Sequence, residues 1–266
     1  MGLMLDQSLA LASFLAVVWG QRQKQPQKYL PSRIGLFYLG VWALGRQLGS
    51  RALQMLGRYA SAYFVMVSLS RFFPQVLRLP ATITGKDPVT GEFSWLYRAI
   101  NLPYGFLERQ MFHRVVERDV KTLKIGLAPY NQINSTMYLG LSPALLQNDL
   151  LPQDIGLVCD LCNEFENNHV PNAEYVCVPV WDQTVPQDVE RFLQVVDRVA
   201  KFKGKVYFHC AFGIGRSSLA AAAVMIKRGL ANSPQEALVL LQRERPFVHW
   251  GPEPTEFMNI ITPRLL

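Results

Sequence analysis

Lys205-Val206-Tyr207-Phe208-His209-Cys210-Ala211-Phe212-Gly213-Ile214-Gly215-Arg216-Ser217-Ser218 is the stretch from which both the fold and the chemistry of this chain can be read. Lys205–His209 reads as a strand that runs straight into a glycine loop, and Leu219–Lys227 reads as a helix closed by Gly229. Strand, glycine loop and helix in that order point backbone N–H groups and a helix N-terminus at one spot, which suits a phosphate dianion. Gly213 and Gly215 are expected to let the loop curl without a Cβ clash. Arg216 follows Cys210 by six residues, so its guanidinium can fork onto two phosphate oxygens above the cysteine. A thiol at the floor of such a cradle loses its proton easily, because the helix dipole, the amides and Arg216 all favour the anion. A thiolate facing bound phosphate is a nucleophile for phosphoryl transfer. Ser217 is placed to donate a hydrogen bond to that sulfur, and His209 to orient the loop. Ala211, Phe212, Gly213, Ile214, Gly215 and Arg216 are the expected phosphate-binding residues.

Outward from the loop the chain alternates strands and helices. Upstream, Thr136–Leu139, Ile155–Leu161 and Glu174–Val180 read as strands, and Ser142-Pro143 opens a short helix running to about Gln147. Val189, Phe192, Leu193, Val196 and Val199 or Ala200 recur at helical spacing, giving an amphipathic helix over 187–202. Downstream, Ser233-Pro234-Gln235-Glu236 joins a capping box to a proline at the first helical position, so 234–243 is helical and stops before Pro246. The pattern predicts an α/β fold with a mostly parallel central sheet covered by helices on both faces. Three segments follow: a basic hydrophobic N-terminal segment over 1–80, a linker with an amphipathic helix (Leu107–Leu123) over 81–125, and a catalytic domain over 126–266. Gly85-Lys86-Asp87-Pro88 and Thr90-Gly91 are turn chemistry within the linker.

Half of the 266 residues are hydrophobic and 18% are charged. The net charge of +7 comes from one end: residues 1–80 hold nine basic residues and a single acid, Asp6, whereas the remainder is almost balanced. Apolar runs at Ser8–Gly20, Ile34–Leu44 and Tyr59–Ser70 are each shorter than the roughly 20 residues a spanning helix requires. Membrane-embedded or interfacial helices, or a small helical bundle, are the two readings of this segment. In the first, the segment forms a hydrophobic helical extension that associates with a membrane, and Arg22, Lys24 and Lys28 keep the catalytic domain on the cytoplasmic side. Nothing in the basic residues suggests nucleic acid. Four cysteines in a chain this long make no disulfide framework. Cys159 and Cys162 form a C-x-x-C without the second pair that zinc needs, so no metal and no cofactor are expected. These two are ordinary core cysteines or, alternatively, reversible disulfide partners of Cys210. His249 and Trp250 either pack or edge the site, and His113 and His169 read as solvated.

His209-Cys210, five residues, then Arg216-Ser217 resembles the signature of the protein tyrosine phosphatase superfamily. The region from about 126 to 266 is similar in size and order to its dual-specificity branch. Tyr138-Leu139-Gly140-Leu141 resembles that branch's opening strand, Leu157-Val158-Cys159-Asp160-Leu161 its second buried strand, and Arg245-Pro246 its late helix end. Gly215 before Arg216 is more like the larger tyrosine-specific enzymes, and Phe212 stands where the family has a small residue, implying a narrower or more apolar pocket floor. The resemblance implies a general acid on a loop between a strand and the next helix. Asp182, in Val180-Trp181-Asp182-Gln183-Thr184-Val185-Pro186, fits it; Asp188 competes, but falls where a helix cap is expected. The function so implied is metal-independent hydrolysis of a phosphomonoester through a phosphocysteine, with Cys210, Arg216, Asp182, Ser217 and His209 as catalytic residues. The expected partner is a phosphorylated protein, on tyrosine or with dual specificity, and the alternative is a phospholipid such as phosphatidylglycerophosphate. A catalytically weak phosphate-binding module is the third reading. Ala211, Phe212 and Ile214 offer no cation for a highly charged inositol headgroup.

Overall fold

The computed structural model describes residues 30–72, 85–95, 98, 110, 128–146, 150–167 and 169–266. The Ser8–Gly20 run, the Leu107–Leu123 helix apart from Gln110, and His113 lie outside them. The chain divides into two compact units, Met1–Pro80 with Arg98–Glu108, and Ala81–Tyr97 with Arg109–Leu266.

The described part of the first unit is a helical hairpin, α1 (Leu30–Gln47) and α2 (Arg51–Phe72). The two remaining apolar runs fall inside these helices. Gly57 lets them approach closely, since a Cβ there would lie 2.5 Å from the Trp42 amide nitrogen. Tyr38 and Phe64 stack with centroids 5.8 Å apart, and Ala60 and Ser61 are buried beside them in sequence. Trp42 also carries the guanidinium groups of Arg46 and Arg58 at 5.4 and 5.7 Å from its ring. Among the described residues, no helix is long and apolar enough to cross a membrane.

The second unit is built on a five-stranded sheet. Its strands are β1 (Tyr130–Asn134), β2 (Met137–Gly140), β3 (Ile155–Cys162), β4 (Glu174–Val180) and β5 (Lys205–His209), in spatial order β1-β2-β5-β3-β4. All neighbours run parallel except β1 against β2. Placing β5 at the centre sends its C-terminal end, and hence Cys210, to the middle of the sheet's edge where loops converge. Helices α3 (Val189–Lys201), α4 (Arg216–Lys227), α5 (Pro234–Glu244) and α6 (Pro252–Ile261) follow.

These four helices share one core with one face of the sheet: Phe192 and Val196 of α3, Leu241 of α5 and Met258 of α6 pack with Leu157, Val178 and Phe208. The expected covering by helices on both faces is therefore met on one face among the described residues. On the other, Tyr138, Val158 and Tyr207 pack with Leu151 and Ile155, with Tyr130 and Tyr175 at the margin. Helix α4 is buried from Arg216 to Ile226, which explains its Leu-Ala-Ala-Ala-Ala-Val composition: an element enclosed on all sides has no polar stripe. It begins at Arg216, three residues before its first apolar residue, so the phosphate loop and the helix are one continuous device. The Ser142-Pro143 turn is a 3-10 helix over Pro143–Leu145, with the Ser142 hydroxyl accepting from the Ala144 N–H.

Candidate active site

Cys210 follows directly on β5, and the loop that leaves it re-enters the protein at the N-terminus of α4. Gly213 has φ of +66°, and a Cβ on it would lie 2.3 Å from the Gly140 carbonyl oxygen, so the loop is seated on the end of β2 at a point only glycine can occupy. Gly215 differs from the sequence-based expectation. Its φ is −94° and a Cβ would meet nothing within 4 Å, so no steric demand for glycine exists there. Phe212, half-buried, packs with Leu145, Cys162, Phe165 and Ala211 in a satellite cluster. The Ser142 N–H donates to the Ala211 carbonyl at 3.1 Å.

The thiol of Cys210 is buried, and burial pushes it up. The Arg216 charge, the Ser217 hydroxyl and the N–H groups of Ser217 and Ile214 outweigh that effect and hold it below the ordinary cysteine value. Ser217 Oγ donates to Cys210 Sγ at 3.3 Å. Arg216 is itself fixed: Nη1 donates to Glu164 Oε2 at 2.8 Å and to the Val180 carbonyl at 2.9 Å. Its Nε and Nη2 are buried without hydrogen-bond partners. Nη2 does lie 3.0 Å from Asp182 Oδ1, an ion pair without hydrogen-bond geometry. Two neighbouring nitrogens of one guanidinium left without hydrogen bonds are the arrangement able to fork onto an oxyanion. Among the described residues no group of histidines, cysteines or carboxylates has the makings of a metal site.

Asp182 stands just past the end of β4 with its side chain 32% exposed, at the rim of this cradle. Asp188 is elsewhere employed, as the N-cap of α3 accepting from the Arg191 N–H at 3.0 Å. His209 is buried at the end of β5, and burial holds it below the ordinary histidine range. Cys159 and Cys162 are both buried free thiols pushed well up, chiefly by burial. Trp250 donates its indole N–H to Ser218 Oγ at 2.9 Å, which in turn donates to the Gly215 carbonyl at 2.6 Å. It thus braces the loop's exit, while His249 is exposed.

Two further residues belong to the site and were not read from the sequence as such. Glu164 accepts from Arg216, from Cys162 Sγ at 2.7 Å and from the Asn163 N–H at 3.1 Å, and so aims the guanidinium. Its only sequence signal is an acid two residues beyond a buried strand. Arg245 is buried behind the loop and donates to the Phe212 carbonyl at 2.7 Å and the Gly213 carbonyl at 2.8 Å, and also to the Ala128 carbonyl and Asn131 Oδ1. An arginine spent on loop carbonyls looks, in sequence, like any charged residue at a helix end.

Residues 137–257 match the family model described as dual specificity phosphatase, catalytic domain. Over these residues the chain carries a catalytic domain of the dual-specificity-like branch of the protein tyrosine phosphatase superfamily. The phosphatase domain is 30% identical over 122 residues to human dual specificity protein phosphatase 16, a match covering 44% of this chain and 18% of that protein. The chain thus spans less than a fifth of the length of the curated relative it matches. Solved structures similar to the domain include PTPMT1 in complex with PI(5)P, at 22% identity, TM-score 0.44, covering 52% of this chain and 96% of the other. The active form of Tk-PTP is 26% identical with TM-score 0.44, covering 51% and 97%. Human DUSP28 is 17% identical with TM-score 0.44, covering 52% and 95%.

Proposed function

We propose that the phosphatase domain hydrolyses phosphomonoesters through a phosphocysteine, without a metal. The observation that carries this reading is the pairing of a thiol held below its ordinary pKa with an arginine whose Nε and Nη2 are buried and unbonded above it. In the first step the Cys210 thiolate attacks phosphorus as the phosphorus–oxygen bond to the leaving group breaks. Arg216 and the loop amides from Ala211 to Arg216 hold the three equatorial oxygens. Asp182, three ångströms from Arg216, gives its proton to the departing oxygen. In the second step Asp182 takes a proton from water, the water oxygen bonds to phosphorus, and the sulfur–phosphorus bond breaks. The returning thiolate is met by the Ser217 hydroxyl. His209 acts through position, at the strand end from which Cys210 projects, and not as a base.

The substrate we favour is a phosphorylated protein, on tyrosine or with dual specificity. Phe212 and Ile214 make the loop apolar in composition, and it carries no lysine for a polyphosphorylated headgroup. A lipid phosphomonoester is the second reading, and the helical hairpin favours it. Phe37, Leu44, Leu48, Met55, Leu56 and Tyr59 are exposed there alongside Arg46, Arg51 and Arg58, with no carboxylate between residues 30 and 72. Such a surface suits interfacial binding to an anionic bilayer, and we include membrane association of residues 1–80 in the proposal.

The test is a substrate panel on the full chain: an aryl phosphate, phosphotyrosine and phosphoserine peptides, phosphatidylglycerophosphate and phosphoinositides in mixed micelles. Cys210→Ser should abolish turnover while vanadate still binds, and chelators should have no effect. Activity lost in chelator and restored by zinc would overturn the mechanism. A lipid preferred over every phosphopeptide by about 10²-fold, about 2.7 kcal/mol in transition-state binding, would replace the protein substrate with the lipid one.

A further inference from the structure

Lys86 lies outside the 137–257 match, yet it is only 1% exposed. An ammonium that deep persists only if its charge and its donors are compensated. Its Nζ donates to Asp160 Oδ2 at 2.6 Å and to the Cys162 carbonyl at 2.5 Å. The segment that delivers it is a small hairpin. Lys86 bridges Phe93 antiparallel, the Asp87 N–H donates to the Glu92 carbonyl, and Asp87 Oδ1 accepts from the N–H groups of Val89 and Thr90. This hairpin is fastened to the domain at four points. The Phe93 N–H donates to Glu166, the Asn167 N–H to the Gly91 carbonyl, Asn167 Nδ2 to the Thr90 carbonyl, and Arg191 Nη2 to the Pro88 carbonyl. The ammonium therefore reaches a fixed point and is not a side chain that happens to fold inward.

That fixed point is beneath the phosphate loop. Asp160 in β3 is in register with His209 in β5 and with Cys177 in β4. Its Oδ1 accepts from the Cys162 N–H at 2.6 Å and lies 3.6 Å from His209 Nδ1, which has no hydrogen-bond partner. Its Oδ2 accepts from Lys86 and from the Tyr175 hydroxyl, each at 2.6 Å. The titratable groups facing Asp160 are Lys86 from the hairpin, Tyr175 and Cys177 from β4, His209 from β5, and Cys159 and Cys162 from its own strand. Lys86 is the permanent cation in that group. Facing His209 are Asp160, Lys86, Cys210 and Arg216, together with the Tyr207 ring. Burial comes first in holding His209 below its ordinary range, with Asp160 opposing and Lys86 and Arg216 supporting.

We infer that Lys86 is a positioning residue for the catalytic cysteine: it supplies the counter-charge of Asp160, so that His209, the residue immediately before Cys210, stays neutral and the strand-to-loop junction keeps its geometry. The consequence for turnover rests on the Cys210 chemistry proposed above; the charge relation does not. Without Lys86 the nearest source of positive charge for Asp160 is a proton on His209, 3.6 Å away. Drawn toward Asp160, the imidazole would pull the peptide from which the loop starts.

The test follows the His209 ring by nuclear magnetic resonance in the full chain carrying Cys210→Ser, with and without Lys86→Met. In the parent His209 should stay neutral at pH values where a free histidine is half protonated. In Lys86→Met its midpoint should rise by about 1 unit or more. Turnover of an aryl phosphate by Lys86→Met, with Cys210 intact, should fall by about 10²-fold, the scale of an ångström-sized misplacement. The double variant Lys86→Met/Asp160→Asn, which removes both charges, should recover at least about tenfold over either single variant and restore the low His209 midpoint. An unchanged midpoint in Lys86→Met, or a double variant no more active than both singles, overturns the inference. If Lys86→Met does not fold, the comparison of Asp160→Asn with the double variant decides: equal activity overturns the inference. A parent chain that hydrolyses no phosphomonoester refutes the proposed function, and the His209 titration still judges the role of Lys86.

Discussion

Gly213→Ala and Gly215→Ala make the most informative pair of substitutions in this protein, because the two glycines stand two residues apart under opposite constraints. At 213 the backbone has φ of +66°, and an added Cβ would lie 2.3 Å from the Gly140 carbonyl oxygen and 2.5 Å from its carbon. The left-handed conformation costs a non-glycine residue about 1–2 kcal/mol. The obstruction is backbone, held in β2 by pairing to β5, and overpacking of this kind adds about 1–3 kcal/mol. Together they predict a loss of roughly 2–5 kcal/mol, which for a domain of this size lowers the unfolding midpoint by roughly 5–15 °C. Relief of the clash requires the loop to move by about an ångström, enough to reduce kcat/KM by about 10²-fold. At 215 the backbone has φ of −94° and the space is open, so alanine should change stability by no more than about 1 kcal/mol, in the favourable direction if at all. Thermal unfolding of both variants, with aryl phosphate turnover for Gly213→Ala, tests this. Equal midpoints for the two variants, or a Gly213→Ala enzyme within about threefold of the parent, would refute the steric argument.

Asp182→Ala should slow substrates with poor leaving groups by about 10²–10⁴-fold and spare an activated aryl phosphate. Asp188→Ala should instead cost about 1 kcal/mol of stability through the lost cap, with no dependence on the leaving group; the reverse pattern would exchange the two roles. The rate of Cys210 alkylation against pH should show a midpoint below that of an ordinary cysteine, since a depressed thiol pKa keeps the thiolate to lower pH. Arg216→Met should move that midpoint upward, because burial stays and the first influence opposing it is gone. Arg245→Met should leave the carbonyls of Phe212, Gly213 and Ala128 without this donor, at a cost of roughly 3 kcal/mol or more, visible as a lowered unfolding midpoint.

The parts of the fold that were legible in sequence are those where local pattern and tertiary role agree. Strand β4 matches its expected span because its interior residues are buried. Helices α3 and α5 carry their caps, Asp188 and Ser233, in plain sight. Strand β1 was not anticipated: Tyr-Asn-Gln-Ile-Asn is a polar, half-exposed edge strand without an apolar alternation. Helix α6 was missed because Pro252 and Pro254 look like breakers, although a proline in the first turn forfeits no hydrogen bond. At the site, Cys210 and Arg216 announce themselves through their spacing within one loop. Glu164, Arg245 and Lys86 do not: the first two reach the loop through one long side chain from elsewhere in the chain, and Lys86 reaches only Asp160 and the Cys162 carbonyl beneath it. Turn residues at 85–91 were visible, but nothing in them says which way the lysine points.

Arg216 is held on one side by Glu164 and the Val180 carbonyl, so only half of its guanidinium is left to meet a ligand. A flexible arginine would surrender about 2 kcal/mol of rotational freedom on gripping an oxyanion; here that loss belongs to folding and is complete before any ligand arrives. Such a rigid receptor responds to the shape of a tetrahedral or trigonal oxyanion and is indifferent to what the fourth oxygen carries. Under the proposed function, a phosphate ester and the inorganic phosphate released from it would compete for the same ready-made grip, and competitive inhibition by phosphate would measure how much of the affinity resides there. Discrimination among substrates must then come from groups that touch the leaving portion, beyond the reach of the arginine.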